Sequence, residues 1–269
     1  MIKTFNAARR QTYTGIAGQV KNVIKTFLIF LMTSSFHNAG PIAHAELNIR
    51  FVAYVHGVPL ELNKKYNNPF GETFEISRFR FYVSRIAPVY TDSNVRFRER
   101  SVYHLIDFSD SASTRLSLPV ASGLCNGVRF LLGVDSLDQV GGAQTGALDP
   151  ARGMYWTWNS GFQSFKIEGY SPASNQPAHI IAYHIGGYRH PFSTVWKIRI
   201  NTTDDIAFRL TDENNISVEV PIELDYFFDG QTPLHIREIS SCTTTGELAW
   251  KISENFVGSF NGLTLSRNP

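Results

Sequence analysis

Apolar and polar side chains alternate through most of the chain, the period of a strand with one buried face. In Leu47-Asn-Ile-Arg-Phe-Val-Ala-Tyr-Val-His56 the positions Leu47, Ile49, Phe51, Ala53 and Val55 are apolar. His56 therefore falls on the opposite face, with Arg50 and Tyr54. Similar runs are Arg78–Ile86, Ser101–Asp107, Val128–Asp135, Phe162–Glu168, Ala178–Ile185, Thr194–Ile200, Ile206–Leu210 and Ile216–Leu224. Each is bounded by Gly, Pro, Asn or Asp clusters, the punctuation of short strands. Strands this numerous, joined by turn-rich segments, predict an all-β, sandwich-like single domain. Pro221 lacks an N–H, so the strand carrying it should lie at an edge or hold a bulge.

The pattern changes near the C-terminus. Thr244-Thr-Gly-Glu247 has capping-box spacing, in which hydroxyl and carboxylate satisfy orphan helix donors. Leu248, Ile252 and Phe256, with Ala249 and Phe260, recur at helical spacing, and Asn261-Gly262 offers a stop. One amphipathic helix of about 14–16 residues is expected to pack on the sheets.

The N-terminal stretch is different again. Lys3, Arg9, Arg10, Lys21 and Lys25 precede an apolar run, Phe27–Met32, and Ala43-His44-Ala45 follows as a small-residue cleavage pattern. Together these read as a secretory leader over residues 1–45, with the domain at 46–269. The other reading is a buried amphipathic helix. The apolar run is too short to span a bilayer, which takes about 20 residues. A periplasmic or secreted location is expected. The formal charge of +2 without blocks of like charge gives no sign of a nucleic-acid partner. Two cysteines, Cys125 and Cys242, could form one disulfide in an oxidising compartment or stand as separate buried thiols. They form no C-x-x-C, which argues against a redox motif.

The most distinctive segment follows the Val128–Asp135 run. A Gly-rich loop from Asp135 to Gly153 leads through Leu148-Asp-Pro150 into Met154-Tyr-Trp-Thr-Trp-Asn-Ser-Gly-Phe162. Loops of this length in a compact domain are more often functional than connective. Gly133–Ser136, Gly146–Pro150 and Gly153–Gly161 resemble, in order, the G-V-D-S, G-A-L-D-P and G-M-Y-W-T-W-N-S-G segments of the MbnP-like family of exported bacterial proteins. Phe79–Ser84, Tyr103–Asp107, Phe165–Gly169, Tyr183–Gly187 and Leu248–Phe256 resemble further family segments, collinear along nearly the whole chain after the leader.

The resemblance implies copper handling. The family takes its name from a copper-binding protein linked to the copper-chelating peptide methanobactin. Its members are commonly paired with an MbnH-type di-haem partner of the cytochrome c peroxidase kind. In better-known relatives that partner converts a tryptophan to kynurenine near a histidine-held copper. This chain departs from the four-cysteine branch of the family, and its Trp-Thr-Trp has no adjacent His.

Copper(I) accepts a few imidazole or soft ligands. His184, in the matching His-Ile-Gly-Gly segment, is the leading candidate, the alternative being a structural histidine. His104 and His56 are weaker candidates, with cross-strand packing the competing role for His104. Trp156 and Trp158 share one face of an extended segment and are either modifiable aromatics near the metal or core plugs. Met154 reads as packing, and Asp135, Asp138 and Asp149 as turn chemistry without the spacing of a calcium loop. No nucleophile elbow, phosphate loop or zinc-protease motif occurs, so a non-enzymatic role is expected. The rival is an extracellular binding module using Tyr155, Trp156, Trp158 and Phe162 to stack a sugar or dock a protein.

Overall fold

The structure, a computed structural model, describes residues 44–94, 102–142, 144–157, 161–203, 206–213 and 216–267. The expected leader lies outside them except at its end. The strands begin with β1 (His44–Val55), β2 (Val58–Pro59), β3 (Lys65–Asn67), β4 (Thr73–Tyr90) and β5 (His104–Asp107). They continue with β6 (Arg115–Ala121), β7 (Gly123–Leu132), β8 (Tyr155–Thr157), β9 (Gly161–Tyr170) and β10 (Ile180–Gly186). Last come β11 (Trp196–Asn201), β12 (Phe208–Leu210), β13 (Ile216–Glu223), β14 (Ser241–Cys242) and β15 (Thr264–Arg267). The helices are α1 (Ser136–Gln139), α2 (Leu224–Phe228) and α3 (Glu247–Gly258).

Two sheets share one core, as the alternation predicts. The smaller runs β15-β13-β1-β2, with β6 also on β1; the larger runs β11-β7-β4-β9-β10-β14, with β12 on β7, β3 and β5 on β4, and β8 on β9. Leu47, Ile49, Phe51, Ala53 and Val55 of β1 all face the core. Phe51 meets Phe81 edge-on at 5.5 Å and Phe130 at 5.8 Å, linking the sheets through aromatic contacts. The β1–β13 pair is parallel, from Leu47↔Ile216 to Tyr54↔Glu223. Pro221 lies beyond the last β13–β15 pair, Glu219↔Thr264, where that side of the strand needs no N–H.

The position of the cut expected after Ala45 lies near the start of β1, where Ala45 is buried and pairs with Val120. Several other expectations change. β6 is an additional strand; it pairs only with β1, and such an edge tolerates Pro119. Among the described residues there are three α-helices rather than one. α3 spans 12 residues and starts on Gly246 with no side-chain cap, so the Thr244–Glu247 box does not form. Glu247 instead ion-pairs with Lys251 one turn on. Its buried face is Ala249, Ile252, Ser253, Asn255 and Phe256, while Leu248 is exposed. Ser253 and Asn255 carry inward hydrogen bonds that a purely apolar count misses: Trp196 Nε1 donates to Ser253 Oγ at 2.9 Å. The possible disulfide is absent. Cys125 on β7 and Cys242 on β14 are free buried thiols, separated by β4, β9 and β10. Burial pushes the Cys125 thiol up to about 12, which makes it inert.

Candidate functional site

The Gly-rich loop folds back over the outer face of the larger sheet. Beneath it lies a satellite core of Tyr82, Val134, Leu148, Met154 and Phe162, separate from the main one. Asp135 caps α1 by accepting from Leu137 N and also holds Arg85. Gln139, fully buried, donates to Val134 O at 3.1 Å and accepts from Phe162 N at 2.6 Å. That bond requires Gly161: its φ is +74°, and a Cβ there would lie 2.1 Å from Gln139 Oε1. Asp138 accepts from the Tyr103 hydroxyl at 2.6 Å, and Asp149 from Ala151 N. Asp135 and Asp149 thus make cap and turn bonds, as their sequence setting suggests, whereas Asp138 is held by Tyr103 from a distant segment.

Side chains of the outer face take up the loop's carbonyls. Tyr82 Oη donates to Ala147 O at 3.0 Å, Arg80 Nη1 to Arg152 O at 2.9 Å, and Lys166 Nζ to Gly153 O at 2.6 Å. Lys166 is 7% exposed, and burial lowers its pKa. In register across the sheet stand Asp107 of β5, Arg80 of β4, Lys166 of β9 and His184 of β10. Beside that row Arg78 Nη1 reaches Glu168 Oε2 at 2.8 Å.

His184 ends the row. Its Nε2 lies 2.7 Å from Glu168 Oε1. The His184 hydrogen bond, with Lys166 and Arg78 nearby, overcomes burial and holds the Glu168 carboxyl down to about 2. Two residues along the same face, Gly186 leaves room for the Trp156 indole: a Cβ there would lie 2.9 Å from Trp156 Cζ3. Trp156 is therefore packed close to His184's strand, half-buried, while Trp158 lies outside the described residues.

The other two candidate histidines lie elsewhere. His104 begins β5 opposite Val83, and the alternation of Leu105 and Ile106 puts it on the inner side, away from His184. Burial lowers its pKa and keeps the ring neutral. His56 sits in the β1–β2 turn at φ +52°. Its Nδ1 is 3.0 Å from Asp225 Oδ2 and its Nε2 2.8 Å from the Asn67 carbonyl, so both nitrogens tie the turn to α2 and β3. The three candidates His184, His104 and His56 are not brought together among the described residues. Periodicity gave each residue's face but not its neighbours across the fold.

Among the described residues no three His, Cys, Asp or Glu side chains are grouped to hold a metal. Of the three candidates, His184 has the setting of a ligand. One ring nitrogen is fixed by a carboxylate, the usual outer-shell arrangement that orients a metal-bound imidazole, and Nδ1 remains for the ion. His184 can therefore supply one imidazole to a metal, and the described residues supply no complete three-residue site. Of the residues in the rival stacking reading, Phe162 is fully buried and Tyr155 leans on it at 4.7 Å, while Trp156 is half-buried.

Sequence comparison decides the family. The MbnP family model matches residues 44–244, from the start of β1 through β14. The chain belongs to the MbnP family. As a member of the MbnP family, it carries the Gly-rich loop and the His184 strand within the matched span, whereas α3 lies beyond it. No curated protein matches the chain. Among solved structures, MbnP from Methylosinus trichosporium is similar at 15% identity, with 74% of this chain and 83% of that chain covered and a TM-score of 0.46. No helix among the described residues is long and apolar enough to cross a membrane.

Proposed function

We propose that this MbnP-family protein is an exported copper-binding protein of a methanobactin-associated system, with His184 as a copper ligand on the outer face of the larger sheet. The observation that carries the reading is His184 Nε2 held by Glu168 at 2.7 Å on a strand that also packs Trp156. Imidazole suits copper in either oxidation state, and a carboxylate partner fixes the ring's tautomer and direction. Family membership supports copper handling, and the leader pattern of residues 1–45 supports export. The role is binding rather than catalysis. A di-haem peroxidase-like protein is the proposed partner, acting on Trp156 or Trp158.

The test is copper retention. Protein loaded anaerobically with Cu(I), desalted and analysed for metal should hold one copper per chain, and His184→Ala should lose it. Retention unchanged by the substitution would remove His184 from the site. Mass spectrometry after co-expression with a di-haem peroxidase should show a modified tryptophan in the Met154–Phe162 peptide; an unmodified peptide counts against the partner.

A further inference from the structure

Building on His184 as the proposed copper ligand, we propose that Lys166 is a selectivity residue of the same site. It places an excess positive charge beside the ligand, so that a monovalent copper ion is accepted and divalent ions are disfavoured.

Lys166 stands directly opposite His184 in the antiparallel β9–β10 pair. Side chains so paired have Cβ atoms about 5 Å apart. Glu168 Oε1 is shared between the two, 2.7 Å from His184 Nε2 and 3.8 Å from Lys166 Nζ. The longer contact is an ion pair beyond hydrogen-bond reach, and the Lys166 ammonium donates instead to the Gly153 carbonyl at 2.6 Å. Tying down a loop carbonyl takes no charge: Tyr82 does the same at Ala147 with a neutral hydroxyl. A lysine there, with 9% of its side chain exposed, brings a charge that the tie does not need and that is costly to bury.

The neighbouring charges reduce this excess without cancelling it. Arg80 pairs with Asp107 at 2.7 Å, while Arg78 and Lys166 share the Glu168 carboxylate with His184. Three cations thus face two carboxylates before a metal ion arrives. Lys166 and Arg80 have only 9% and 20% of their side chains in solvent, where water and salt screen them least.

Coulomb repulsion scales with the charge of the incoming ion, so the same excess costs a divalent ion twice what it costs a monovalent one. Divalent ions recover such a cost from anionic ligands. Glu168 is committed to Nε2, away from the Nδ1 left for the ion, and among the described residues no trio of His, Cys, Asp or Glu is grouped to hold a metal.

The experiment measures the Cu(II)/Cu(I) midpoint potential of the copper-loaded protein by voltammetry. Cu(I) affinity is read by anaerobic competition with bicinchoninate and Zn(II) affinity by calorimetry. Lys166→Met keeps the side chain's bulk and removes its charge. It should favour Cu(II) over Cu(I) about tenfold, a fall of about 59 mV for a one-electron couple, and should raise Zn(II) affinity relative to Cu(I). Lys166→Arg should keep the parent potential. Arg78→Gln removes a neighbouring cation without touching the Gly153 bond; it should lower the potential by less, and it carries the comparison should Lys166→Met fail to fold. Parent potentials in both Lys166→Met and Arg78→Gln overturn the proposal while leaving His184 as a ligand. An equal fall in Lys166→Arg assigns the effect to the loop tie and also overturns it. Copper absent from the parent protein, or retained unchanged by His184→Ala, overturns the copper reading and this proposal with it.

Discussion

Asn255 is fully buried in the middle of α3, a position where a helix normally presents an apolar side chain. Its amide spans the loop after α2: Nδ2 donates to Phe227 O at 3.0 Å and Thr232 O at 2.6 Å, and Oδ1 accepts from Thr232 N at 3.1 Å. Asn255→Ala should therefore strand one buried and two part-buried backbone groups and cost about 1–3 kcal/mol, read as a lowered urea midpoint. Gly161→Ala places a methyl against Gln139 and holds a left-handed backbone. The expected loss is about 1–3 kcal/mol, with loosening of the Gly-rich loop visible as faster amide exchange at Phe162. An unchanged exchange rate would show that Gln139 does not pin the loop. Neither role could be read from spacing, because both depend on partners distant in sequence. The residue types were nonetheless visible, Gly161 inside the matched Gly153–Gly161 segment and Asn255 inside the helical one.

At the level of elements, alternation was the most legible signal. β1, β7, β9 and β13 lie where period-2 runs predict, because each has one face on the common core. Signals failed where tertiary pairing overrode local chemistry. β6 was not among the period-2 runs although its edge position accommodates Pro119, and a capping box of the right spacing was set aside because Gly246, at φ +139°, opens α3 instead. The outer face of β4, β9 and β10 looked like scattered polar positions in sequence, yet register assembles it into the Arg80, Lys166, Glu168 and His184 array. Glu168 provides the pH test at this scale. Its folded pKa is depressed to about 2 from 4.5, so it stabilises the fold above its unfolded value and that contribution fades as pH falls toward 2. The stability gap between the parent protein and Glu168→Gln should be constant from pH 7 to 5 and shrink between pH 4.5 and 2. A gap independent of pH would mean that the ionised carboxylate contributes nothing to stability.

For the whole molecule, two sheets around a phenylalanine-rich core leave the loop-covered array ending in His184 on the larger sheet's outer face. Arg85 of β4 is tied to the start of the Gly-rich loop by its ion pair with Asp135. The sandwich class and the family resemblance were legible from strand pattern and collinear segments. The choice among histidines was not, because it depends on which carboxylate meets each ring: Glu168 for His184, Asp225 for His56.

Anomalous diffraction at the copper edge, from crystals loaded anaerobically with Cu(I), tests that choice most directly. A single strong peak about 2 Å from His184 Nδ1, the distance of a metal–imidazole bond, is the expected result. A peak beyond bonding reach of that nitrogen, or none in protein that retains copper, would contradict the assignment.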